Sequence, residues 1–140
     1  MKRILVGVDG SEISNSALQF AANLARATGA EVQVACSIEP PEFFGPDTTG
    51  EIVAAQYEQA VARTQATLAA ASALLTQQGI LVQTTAMEGP PAYALAELAK
   101  GEIDLVVVGH RSRSALARTM LGSVADRLTQ ICPRPVLVYR

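Results

Sequence analysis

Ile4-Leu5-Val6-Gly7-Val8-Asp9-Gly10-Ser11 and its counterpart Leu105-Val106-Val107-Val108-Gly109-His110 decide how this chain folds. Each begins as a short run of apolar, mostly branched residues without polar alternation, the pattern of a parallel strand covered on both faces. Each then breaks off in glycine and polar residues, where a strand hands over to a loop or a helix. After the first run, Ser11 is placed to cap a helix. Its apolar positions Ala17, Ala21, Leu24 and Thr28, with Leu18 and Ala25 beside them, follow the helical period. Gly29 closes that helix in the left-handed region.

Working outward, residues 32–37 read as a second strand. Residues 38–50 contain Pro40, Pro41, Gly45 and Pro46 and read as a loop whose Phe43-Phe44 pair either folds back over the site or, as is commoner, packs on the core. A long helix is expected over 51–78, with Tyr57, Val61, Thr64, Leu68, Ala71 and Leu75 forming one buried stripe before Gly79 ends it. Residues 81–87 form a third strand and 92–100 a short helix with Leu95, Leu98 and Ala99 inward. Ile103 and 105–108 form the fourth strand, followed by a loop over 109–121. Gly122-Ser123 opens a last helix running to about Cys132, and 136–139 is the fifth strand. Strands alternating with helices through short connections give a doubly wound five-stranded parallel sheet with helices on both faces. Right-handed crossovers favour the order 3-2-1-4-5. Strands one and four then lie side by side, and their C-terminal ends flank the topological switch point where such sheets bind ligands.

The chain has 140 residues, the size of a single domain spanning 1–140, and 49% of it is apolar, enough for one core. No apolar run approaches the ~18 residues of a membrane span, and Asp9 interrupts the first run too early for a signal peptide. The expected setting is therefore the cytoplasm, away from membranes. The net charge of −2 argues against a nucleic-acid partner. The charge is unevenly spread: residues 1–110 carry five basic and twelve acidic side chains, and residues 111–140 carry six and one. Such asymmetry suits a local anion site. Cys36 and Cys132 have no metal-ligand spacing and lie on opposite sides of the predicted sheet centre, so they read as free, buried thiols.

Two segments meet at the switch point. Gly7-Val8-Asp9-Gly10-Ser11 leaves strand one; Val108-Gly109-His110-Arg111-Ser112-Arg113 leaves strand four and leads to Gly122-Ser123-Val124 at a helix start. A helix N-terminus presents unpaired N–H groups and the positive end of a dipole, so it receives phosphate. Arg111 and Arg113 add positive charge, and small residues allow the backbone to approach a ligand. Asp9 is poorly suited to phosphate but well suited to ribose hydroxyls. The plainer reading of the same residues is structural: glycines end strands everywhere, and loop arginines are commonly just solvated.

The run from Ile4 to Glu12 resembles the first strand of the universal stress protein (UspA-like) family. The run from Asp104 to Ser114, continuing through Leu121-Gly122-Ser123-Val124 to Pro133-Arg134-Pro135-Val136-Leu137-Val138, resembles that family's C-terminal signature. The resemblance covers essentially the whole chain and implies an adenine nucleotide alpha hydrolase-like fold. Its ATP-binding members carry a glycine, two residues, a second glycine, nine residues, then glycine and serine or threonine. Gly109, Gly122 and Ser123 match; Ser112 replaces the second glycine. The resemblance implies that Gly109, Ser112 and Arg113 wrap the phosphates of ATP, commonly with Mg2+, and that Gly122, Ser123 and Val124 hold the far side. Asp9 takes the ribose, and Ser37 and Val108 line the adenine pocket. If position 112 needs a positive φ, serine there costs roughly 1–2 kcal/mol, about tenfold in affinity. The resemblance also implies a homodimer through the edge of strand 136–139, an apolar edge that otherwise needs guarding.

The function expected is a stress-response or regulatory protein that binds ATP or a related adenine nucleotide. The alternative is a homodimeric interaction module that holds no nucleotide. Enzymatic activity is at most a slow ATPase. The chain has no G-x-x-x-x-G-K-[ST] loop, no G-x-G-x-x-G after strand one and no G-x-S-x-G elbow. A phospho-acceptor receiver needs an aspartate where strand three ends, and this chain has Met87-Glu88 there. His110, the single histidine, could donate to a phosphate oxygen; more often such a residue only packs on a neighbouring helix.

Overall fold

The computed structural model describes residues 1–39, 45–46, 49–110 and 121–140. The Phe43-Phe44 pair and the loop residues Arg111, Ser112 and Arg113 lie outside the described residues. In chain order the elements are β1 (Arg3–Val8), α1 (Glu12–Thr28), β2 (Glu31–Ile38), α2 (Gly50–Gln77), β3 (Val82–Glu88), α3 (Pro91–Leu98), β4 (Leu105–Gly109), α4 (Ser123–Ile131) and β5 (Val136–Tyr139). The five strands form one sheet in the order β3-β2-β1-β4-β5, every neighbouring pair parallel, as the sequence pattern predicts.

The pleat divides the core in two. Ile4, Val6, Val34 and Val107 face α1 and α2, while Leu5, Ala35, Val106 and Val108 face α3 and α4. Both faces of β1 and β4 are therefore apolar, which explains why those strands lack polar alternation. Each fully buried Val, Leu or Ile contributes roughly 1.5–3 kcal/mol of transfer free energy. The register places Gly7 beside Ala35 of β2 and Val108 of β4, and Ser37 beside Met87 of β3. These are the residues at the C-terminal edge of the sheet where the site is built.

The caps agree with the sequence at α1. The Ser11 hydroxyl accepts from the Ser14 N–H at 3.3 Å, and Gly29 closes the helix at φ 72. Two positions in the predicted stripes turn outward. Thr28 is exposed and its hydroxyl donates to the Leu24 carbonyl at 2.8 Å, a local bond that competes with burial in a last turn. Tyr57 is exposed and its hydroxyl donates to the Glu88 carboxylate at 2.6 Å, so the buried stripe of α2 starts at Ala60 instead. Leu81 precedes β3 and is exposed. Cys36 and Cys132 are both free; Cys36 is buried, whereas Cys132 is only partly so because it caps α4 rather than lying within it. Among the described residues, no helix is long and apolar enough to cross a membrane.

Candidate functional site

A cleft opens where the C-terminal ends of β1, β2 and β4 meet the starts of α1 and α3. Its enclosed volume is about 70 Å3, or about 590 Å3 with the open space at its mouth included. Seven of the twelve expected site residues line it: Gly7, Val8, Asp9, Ser37, Val108, Gly109 and Val124. Gly122 and Ser123 stand at the start of α4, immediately before Val124, but do not form its wall. Arg111, Ser112 and Arg113 lie outside the described residues.

The sequence reading missed several wall residues. Ala35, Met87 and Leu95 supply apolar surface, Ser11 and Ser14 supply hydroxyls from α1, and Glu39 adds a second carboxylate. Period-2 alternation combined with the predicted strand order would have found Ala35, because a residue in register with Gly7 points to the same face. Met87 follows from Ser37 by the same rule.

Two glycines have a reason to be there that involves no ligand. A Cβ on Gly7 would come within 2.8 Å of Leu95 Cδ1, and a Cβ on Gly109 within 3.1 Å of the Ile13 carbonyl oxygen. The first lets α3 settle on β1, with a flexible side chain as neighbour. The second lets the backbone of α1 rest against the end of β4. Gly122, by contrast, has φ −61 and ψ 153, a conformation open to any residue, so backbone strain does not demand glycine there.

The turn from β1 into α1 satisfies its own polar groups. Asp9 Oδ1 accepts from the Ser11 N–H at 2.9 Å, and the Ser14 hydroxyl accepts from the Asp9 N–H at 3.3 Å while donating to the Ser11 carbonyl at 3.2 Å. This network fixes the Asp9 carboxylate at the rim of the cleft. Ser37 is also held: its hydroxyl donates to the Gly89 carbonyl at 2.7 Å and its carbonyl accepts from the Thr64 hydroxyl. Burial pushes the Cys36 thiol up; the bond to Thr64 opposes this, and the Asp9 and Glu39 carboxylates reinforce it. A protonated thiol is a poor nucleophile, so Cys36 serves packing.

The start of α4 is built differently. Its N-cap residue, Gly122, has no side chain to cap it. The Gly122 N–H donates to His110 Nδ1 at 3.3 Å, and the His110 N–H donates to the Tyr139 carbonyl at 2.7 Å. His110 is 6% exposed, and its Nε2 has no hydrogen-bond partner among the described residues. An unpaired buried polar atom costs about 1–3 kcal/mol. Among the described residues, no group of three His, Cys, Asp or Glu side chains converges on a metal position.

The chain's relatives fit this geometry. The model of the universal stress protein family matches residues 1–140. Universal stress protein MJ0531 of Methanocaldococcus jannaschii is 31% identical, over 99% of this chain and 82% of its own length. Universal stress protein UspA from Lactobacillus plantarum has the same fold, with a TM-score of 0.85 at 22% identity over 99% of this chain and 97% of that one. A universal stress protein solved in complex with cAMP is 26% identical, with a TM-score of 0.74, over 99% of this chain and 97% of that one.

Proposed function

The chain belongs to the universal stress protein family, and on that premise we propose that its cleft binds an adenine nucleotide, ATP or a close relative, in a stress-response or regulatory role with little or no turnover. One observation carries the reading: apolar walls and a fixed carboxylate meet in one cleft, and a helix start whose cap residue is glycine stands next to it. Ala35, Met87 and Val108 suit the faces of a purine. Asp9 suits the ribose hydroxyls, since a carboxylate accepts from both. The α4 start at Gly122, Ser123 and Val124 suits the phosphates. The relative with cAMP supports an adenine base, and the matched spacing of Gly109, Gly122 and Ser123 supports a phosphate tail. Mg2+ would come with the phosphates, since the described residues supply no carboxylate cluster for it.

The test is to denature freshly purified protein and chromatograph the supernatant for adenine nucleotides, then to titrate ATP into the wild type, Gly122→Val and Ser112→Gly. Gly122→Val abolishes binding on this reading. Ser112→Gly tightens it about tenfold if position 112 takes a positive φ. Equal, weak binding by all three, with no nucleotide carried through purification, favours an interaction module instead.

The same reading includes a homodimer through the free edge of β5. That strand pairs with β4 on one side, its four residues are all half-buried, and Phe20 packs against Tyr139 with ring centroids 5.8 Å apart. An apolar edge of this kind invites a second copy. Light scattering at micromolar concentration is expected to give twice the chain mass; monomer alone rejects the dimer.

A further inference from the structure

We propose that Glu39 is a specificity residue of the cleft: its carboxylate, beyond Ser37 on the same face of β2, selects a base that carries an amino group over one that carries oxygen in its place. The inference deepens the nucleotide reading and rests on it for the presence of a base.

Ala35, Ser37 and Glu39 all line the cleft. They are two residues apart, so one face of β2 and its continuation runs from an apolar floor through a hydroxyl to a carboxylate at the rim. Gly7 is in register with Ala35 and Val8 with Cys36. Continuing that register puts Asp9 opposite Ser37, with Glu39 one step further out. Burial does most to raise the Cys36 thiol, and both carboxylates add to it, so their fields overlap at this end of β2. Among the described residues, no lysine, arginine or histidine lines the cleft to offset them.

The hydroxyl proton on this wall is already spent. Ser37 donates it to the Gly89 carbonyl at 2.7 Å, so toward a ligand its oxygen can only accept. Ser14 has likewise given its proton to the Ser11 carbonyl. Ionised carboxylates only accept. The side chains of Asp9, Ser37 and Glu39 therefore all present acceptors, and the ligand edge that meets them must carry donors. In an adenine nucleotide those are the ribose hydroxyls and the exocyclic amino group. Asp9, fixed on β1, suits the ribose; Glu39, further out along β2, suits the amino group. An oxygen there would set two acceptors against each other and leave both without a partner. The opposite sign lies across β1, where Val124 brings the start of α4 to the β4 side of the cleft. A ligand is thus held with its donor end toward β2 and its anionic end toward α4.

ATP, inosine triphosphate and purine riboside triphosphate carry an amino group, an oxygen and a hydrogen at the ring position in question. Calorimetry with all three should be run on the full chain and on Glu39→Gln and Glu39→Ala. Glu39 is exposed, so neither change disturbs the core, but water at the rim also weakens the contrast. The wild type is expected to prefer ATP to inosine triphosphate about tenfold, with the purine riboside between. Glu39→Gln can turn either its oxygen or its amide to the base, so the preference should fall to about twofold, inosine triphosphate gaining and ATP losing. Glu39→Ala should leave at most about a threefold preference, supplied by Ser37. The phosphates, and any general effect of a variant on folding, cancel in these ratios. A preference kept in full by both variants overturns the Glu39 proposal and leaves the nucleotide reading standing. Equal binding of all three by the wild type does the same. No binding of any triphosphate by the wild type overturns both.

Discussion

The starts of α1 and α4 face the same end of the sheet and are built on opposite principles. At α1 the sequence supplies its own partners: Ser11 caps, Asp9 and Ser14 close the turn, and Gly109 lets the first turn rest on β4. At α4 the cap is glycine, and among the described residues the side-chain bond at the cap is the Gly122 N–H donating to His110 Nδ1. A self-satisfied helix start is a rigid bracket. An unsatisfied one is a place for something else to bind. On the proposed function, α1 holds Asp9 in position and α4 receives the anion.

The largest expected effect comes from breaking the bracket. Gly109→Val drives a side chain into the Ile13 carbonyl and the Ser14 nitrogen, both backbone atoms that cannot turn aside. Overpacking of this kind costs about 1–3 kcal/mol and should lower the melting temperature by about 5–10 °C in calorimetry. An unchanged melting temperature would mean that α1 does not rest on β4 as described. Next, giving α4 the cap that α1 already has should sharpen the contrast. Gly122→Asp is expected to stabilise the fold by a few tenths of a kcal/mol and to weaken ATP by about tenfold or more, because the carboxylate accepts from the amides and repels phosphate. Tighter ATP binding would reverse the roles of the two helices. The smallest effect is Ser11→Ala, which removes the α1 cap and should cost about 1 kcal/mol, read as a fall of about 3 °C in melting temperature.

The sheet was legible because its signals are local and redundant. Unbroken apolar runs at Ile4–Val8 and Leu105–Val108 demand two covered faces, and the helices between them leave one sensible winding. Ser11 and Gly29 were readable because capping depends on residue type and position alone. Tyr57 was misread because it has the apolar body of a core residue, while its hydroxyl found Glu88 at the end of β3. Periodicity cannot foresee a partner from another element. The cleft wall was half legible: Gly7, Val8, Asp9, Ser37, Val108, Gly109 and Val124 were expected there, and Ala35, Met87 and Leu95, contributed by register or by α3, were not. Gly7 and Gly109 teach a different lesson. Both looked like openings for a ligand, and both are also needed by the packing of a helix. A glycine at a switch point is therefore weak support for a site until its neighbours are known.

The central claim is that an adenine nucleotide occupies the cleft between β1 and β4 with its phosphates at the start of α4. Backbone amide NMR of the 15N-labelled chain during an ATP titration tests it most directly. The account predicts saturable shifts confined to Gly7–Asp9, Ser37, Val108–His110 and Gly122–Val124, with Lys2, Glu31 and Asp104 at the opposite end of the sheet unmoved. Shifts centred on that opposite end, or none at millimolar ATP, would contradict it.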